Sequence, residues 1–132
     1  MTARALLQVW LTLLLLSATT LARAAEDLIA ELGGPAACVD LTGSSYVASI
    51  TATKMRWMRD HEPDNAARVA AVALPHDWLT WRLRGYGPAG ESEHGPVLDE
   101  FVTDRSDASG TGYWNPETGD YDRELLVAAL GH

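Results

Sequence analysis

The chain has 132 residues, 47% of them hydrophobic, which is enough for one globular domain and no more. A formal charge of -8 repels phosphate backbones and sets nucleic acid aside as a partner. Its single cysteine, Cys38, excludes an internal disulfide, and with no Cys or His beside it at ligand spacing it reads as a packed thiol.

In chain order, Arg4 precedes an apolar run from Ala5 to Leu16, and Ala22 and Ala24 then flank Arg23. That is the layout of a secretory signal, and the run is too short for a comfortable membrane span. "EDLIAELGG" reads as a helix with Leu28, Ile29 and Leu32 on one face and Gly33 as its stop. Residues 34–49 read as irregular. Thr51 to His61 reads as a helix whose Met55, Trp57 and Met58 belong to a core. Pro63 suits the first turn of a further helix, "PDNAARVAA". "AVALP" reads as a short buried strand. "HDWLTWRLRG" reads as a helix with Trp78, Leu79 and Leu83 inward and Gly85 at its end. Residues 85–100 are rich in Gly, Pro and acidic side chains and read as a surface loop. "GYWNPETGDYD" reads as a hairpin turn around Asn115, Pro116 and Gly119, and Asp122 is placed to cap a last helix that Gly131 closes.

The residues offer little chemistry by spacing alone. From Asp107, oxygens recur at loop positions 1, 3 and 5 with Gly112 at position 6, as in part of a calcium loop. Position 12 is Thr118 where a bidentate Glu is required, so a turn with capping side chains is the preferred reading. His61, His76, His94 and His132 form no zinc-type pair. No glycine-rich phosphate loop and no nucleophile elbow occurs.

Three ordered stretches carry a resemblance: "TKMRWMRDHEP", "VALPHDWLTWRLRG" and "TDRSDASGTGYWNPETGDYDRELL". In that order and spacing they are similar to the xylulokinases of the FGGY family of carbohydrate kinases. The resemblance implies an α/β fold: a helix-rich fragment of an actin-like, ribonuclease-H-like kinase first domain, with an incomplete sheet. It divides the chain into residues 1–24, a signal-like or frameshifted segment, and 25–132, a partial FGGY-kinase N-terminal domain.

The implied family reaction is ATP-dependent phosphorylation of a keto-sugar, D-xylulose in this branch, with ATP and Mg²⁺ as cofactors. The family's D-x-G-T phosphate loop and Met-His-Gly segment have no counterpart here, and its catalytic Asp lies beyond the matched part. The expectation is therefore a chain without catalytic residues, metal or cofactor of its own, inactive alone. Asp104, Ser106, Asp107 and Ser109 are the candidate substrate-side loop, against the simpler reading that they cap backbone N–H groups.

Keto-sugar and ATP are the partners of the intact family; nucleic acid is not expected, nor membrane if the N-terminus is an artefact. A cytoplasmic origin follows from the resemblance. The alternative is a secreted acidic binding module that uses residues 1–24 as a signal. Without the family's leading strands, the helix at 51–61 is expected to expose Met55, Trp57 and Met58, giving marginal stability and self-association.

Overall fold

The computed structural model describes residues 19–132. The elements are α1 (its described part 19–31), α2 (Pro35–Thr42), α3 (Thr51–His61), α4 (Pro63–Ala66), α5 (Pro75–Leu83), a 3₁₀ turn (Leu98–Glu100), α6 (Arg105–Ser109), β1 (Trp114–Asn115), β2 (Asp120–Tyr121) and α7 (Arg123–Leu130). They fall into two compact units, one built from residues up to Ala67 together with Ser109–His132, the other from Arg68–Ala108. The reading of residues 1–24 as a signal or frameshifted start lies largely outside the described part. Residues 19–24 are helical and continue without a break into 25–31.

The first unit is organised around α3. Its Ala52, Thr53, Met55 and Arg56 are buried, as are Leu28 of α1 and Leu125, Ala129 and Leu130 of α7. Met55 is therefore a core residue and Trp57 and Met58 are half-buried, contrary to the expectation that this stripe lies open. α3 packs against α7.

Arg56 and Arg59 fasten these helices together. Arg56 reaches Glu31 at 2.6 Å and Asp60 at 2.7 Å, and Arg59 donates to the Ala128 carbonyl at 2.6 Å near the C-terminal end of α7. Hydrogen bonding from Arg56 holds the Glu31 carboxyl below its ordinary value. Burial pushes Asp60 up, but Arg56 and Arg59 together overcome it and hold Asp60 low as well.

Residues 35–42, expected to be irregular, are the helix α2. Pro35 sits at its first turn, Gly34 and Gly43 flank it, and Cys38 and Thr42, one turn apart, are its buried residues. The Thr42 hydroxyl donates to the Cys38 carbonyl at 3.0 Å, and burial pushes the Cys38 thiol up. The helix expected from Pro63 stops at Ala66, and residues 69–74 form no strand, with Val72 exposed.

The hairpin is present as read. Trp114 pairs with Tyr121 and Asn115 with Asp120, antiparallel. The Asn115 side chain accepts from the Glu117 and Thr118 amides at 2.9 and 3.3 Å, which closes the turn. Asp122 caps α7 by accepting from the Glu124 and Leu125 amides, and Gly131, at φ 100°, ends it. This two-stranded ribbon is the sheet of the described residues; everything else regular is helical.

The second unit is built on one tryptophan. Trp81 is buried, stacks on Phe101 with ring centres 4.4 Å apart, and donates its Nε1–H to the Val97 carbonyl at 2.9 Å. The sequence reading chose the wrong face of α5. Trp78, Leu79 and Leu83 are 44%, 57% and 80% exposed, while Asp77 and Trp81, one turn apart, face inward. The Trp81 ring determines the orientation because it meets Phe101 and Tyr86, whereas leucines at 79 and 83 meet no covering element.

Candidate functional site

The candidate loop begins where the chain turns into α6. Asp104 precedes the helix, and its Oδ1 accepts from the Asp107 amide at 3.0 Å, the geometry of an N-cap. The Asp104 carbonyl accepts from the Ala108 amide at 2.9 Å. The Asp107 amide, with help from the Ser106 amide and the nearby His76, holds the Asp104 carboxyl below the usual carboxylate range. Capping is what the sequence offered as the simpler role for these oxygens.

Asp107 has a different partner. Its Oδ2 lies 2.7 Å from His76 Nε2, which is also 3.4 Å from Asp77 Oδ1. Asp77 in turn accepts from the Leu74 amide at 3.1 Å and so closes the first turn of α5. His76 therefore stands between the capped starts of α5 and α6, with Asp77, Asp104 and Asp107 around it. Ser106 and Ser109 are exposed side chains of α6, and Ser109 falls in the first unit.

Sequence reasoning missed His76. The sequence presents it as an unpaired zinc candidate and as one position of the "VALPHDWLTWRLRG" stretch, and "PHD" at 75–77 gives no sign of a partner so far along the chain.

After α6 the chain is locked by its backbone. The Thr111 carbonyl accepts from the Ala52 amide at 2.9 Å and supplies an acceptor to the open N-terminus of α3. The buried Tyr46 hydroxyl donates to the Gly112 carbonyl, and burial pushes that phenol up. Gly112 has φ 82°, and a Cβ there would come within 2.6 Å of Tyr46 and 2.7 Å of Ile50. Of the oxygens in the partial calcium pattern, the Asp107 carboxylate meets His76 and the Thr111 hydroxyl accepts from the Tyr113 amide at 3.4 Å. Among the described residues no group of three His, Cys, Asp or Glu side chains is placed to hold a metal ion.

The Mg²⁺ of the implied reaction does not fit these carboxylates. Asp104 Oδ1 is turned to an amide and Asp107 Oδ2 to the His76 imidazole, so each of these oxygens already has a protein partner. An open groove of about 330 Å³ lies against Thr19, Thr20, Ala22, Arg23 and Glu26, and no residue of the candidate loop lines it. Among the described residues no helix is long and apolar enough to cross a membrane.

Comparison with known proteins gives this geometry a lineage. Residues 10–131 match the N-terminal domain of the FGGY family of carbohydrate kinases. The xylulose kinase of Streptomyces coelicolor is 47% identical over 103 residues, covering 78% of this chain and 18% of that protein. A glycerol kinase of Paracidovorax citrulli is 36% identical over 112 residues, 80% of this chain and 20% of its own length. The crystal structure of xylulose kinase from Bifidobacterium adolescentis superposes with a TM-score of 0.72 at 42% identity, covering 86% of this chain and 24% of that one. The chain thus spans about a fifth of the length of these two kinases. By this match over nearly its whole length, the chain belongs to the FGGY family of carbohydrate kinases, its residues 10–131 matching the family's N-terminal domain.

Proposed function

We propose that this chain is part of the sugar-side domain of an ATP-dependent keto-sugar kinase, with D-xylulose as the sugar, and that alone it transfers no phosphoryl group. The observation that carries the reading is the match to proteins named xylulose kinase at 47% and 46% identity over most of this chain. Phosphoryl transfer needs a phosphate-gripping loop, a metal and a carboxylate that takes the hydroxyl proton. The D-x-G-T loop of the family does not occur in the sequence. Of the candidate carboxylates, Asp104 caps a helix and Asp107 holds an imidazole, so neither is set up as a base.

In this reading the loop at Asp104, Ser106, Asp107 and Ser109 shapes the sugar side of the domain, while ATP and Mg²⁺ belong to the complete kinase. Purified chain given D-xylulose, ATP and Mg²⁺ is expected to form no ADP above the blank in a coupled assay. Sugar-dependent ADP formation overturns the proposed inactivity. The sugar is tested by replacing the matching segment of the Streptomyces coelicolor xylulose kinase with residues 25–131 of this chain. The hybrid is expected to phosphorylate xylulose; a folded hybrid that phosphorylates glycerol and not xylulose overturns the substrate.

A further inference from the structure

His76 connects two helix starts that the sequence separates by a long irregular excursion. Between α5 and α6 the chain runs through Gly85, Gly87, Gly90, Gly95 and three intervening turns before it returns at Asp104. The late part of that excursion, residues 97–101, is fixed on Trp81 of α5 and on Arg84 just after it, by the Trp81–Phe101 stack, the Trp81 to Val97 hydrogen bond and an Arg84–Glu100 pair at 2.6 Å. None of those contacts reaches Asp104 or α6. His76 does, through Asp107 Oδ2 at 2.7 Å.

The imidazole has two carboxylate neighbours in this role. Its helix is capped by the 8% exposed Asp77, whose other oxygen lies 3.4 Å from the same nitrogen. Asp107 has its own amide committed to Asp104. A donor at His76 Nε2 therefore fixes the direction of the Asp107 carboxylate and, through the Asp107 amide, the cap on α6.

We propose that His76 is the positioning residue of the candidate loop: its Nε2–H holds Asp107 and registers the start of α6 against the start of α5. For the loop's bearing on sugar, the proposal rests on the substrate-side reading given above. The contact is partly solvated, with side-chain exposures of 51% for His76 and 41% for Asp107, so its effect is local and modest.

The test is amide hydrogen exchange by NMR on the full chain. His76→Ala is expected to speed exchange at Asp107 and Ala108 by about two- to fivefold, the range for a solvated pair, with Leu125 in α7 unchanged. His76→Gln, whose amide nitrogen can replace Nε2, is expected to restore protection. His76→Asn, whose nitrogen sits where Nδ1 was, is not. In the cycle with Asp107→Ala, the double variant is expected to exchange no faster than either single one.

Unchanged exchange in His76→Ala, equal behaviour of the Gln and Asn variants, or a parallel change at Leu125 each overturns the positioning role. D-xylulose added to the wild-type chain is expected to shift the Ser106 to Ser109 amides, less so in His76→Ala. If exchange behaves as expected but xylulose moves none of these amides, His76 still positions the loop and it is the substrate-side reading that falls.

Discussion

Tyr46 and Gly112 show how much one buried contact can hold. The phenol donates to a backbone carbonyl in a site where water cannot replace it, so losing the hydroxyl leaves an acceptor unpaired. Tyr46→Phe is expected to cost about 1–3 kcal/mol in denaturant unfolding. Gly112→Ala is expected to cost about 2–4 kcal/mol, because a Cβ meets Tyr46 and Ile50 well inside contact distance and φ is positive. A wild-type midpoint in either variant would show that the 111–113 segment is not clamped as described. Asp104 and Asp107 teach a related lesson at the same scale. Both are acidic and lie three residues apart, yet one is committed to amides and the other to an imidazole.

Among elements, the junction of α1, α3 and α7 depends on charge as well as on apolar burial. Glu31 and Asp60 are both held below their ordinary values by Arg56 and Arg59. A carboxylate depressed on folding contributes stability that is complete above its unfolded value, about 4, and is lost as pH falls through the lower folded value. The thermal midpoint is therefore expected to be flat from neutral pH down to about 5 and to fall below about 4. Glu31→Gln is expected to start lower at neutral pH and to fall less steeply in acid. A variant whose acid limb parallels the wild type would remove Glu31 from this account. Added salt is expected to lower the neutral-pH midpoint only slightly, since Glu31 is partly exposed.

The two units of the molecule differ in what holds them. In the unit of residues 68–108 the buried apolar side chains are Trp81 and Ala108, whereas the other unit buries Leu28, Cys38, Tyr46, Met55, Tyr113, Leu125 and Leu130. Local opening follows the density of such burial. Limited proteolysis is thus expected to cut first within residues 85–100, leaving the α3 and α7 segments intact at early times. First cuts within 51–61 would reverse that ranking.

What the sequence determined by itself was what local chemistry and motif order can carry. Asp122 with Gly131, the Asn115 turn, and the helix at Thr51–His61 all follow from side chains acting on their own backbone neighbours. The ordered trio of motifs placed the chain in its family for the same reason, since it depends only on residue identity and spacing. Tertiary structure decided which faces are covered. Met55 is buried on a helix that packs against α7, and Leu79 and Leu83 are open because α5 turns Trp81 inward to Phe101. It also decided partners distant along the chain: His76 with Asp107, Tyr46 with Gly112 and Arg56 with Glu31. Periodicity identifies an apolar stripe or a polar cluster but carries no information about the element that will meet it. Only the packed chain supplies that element.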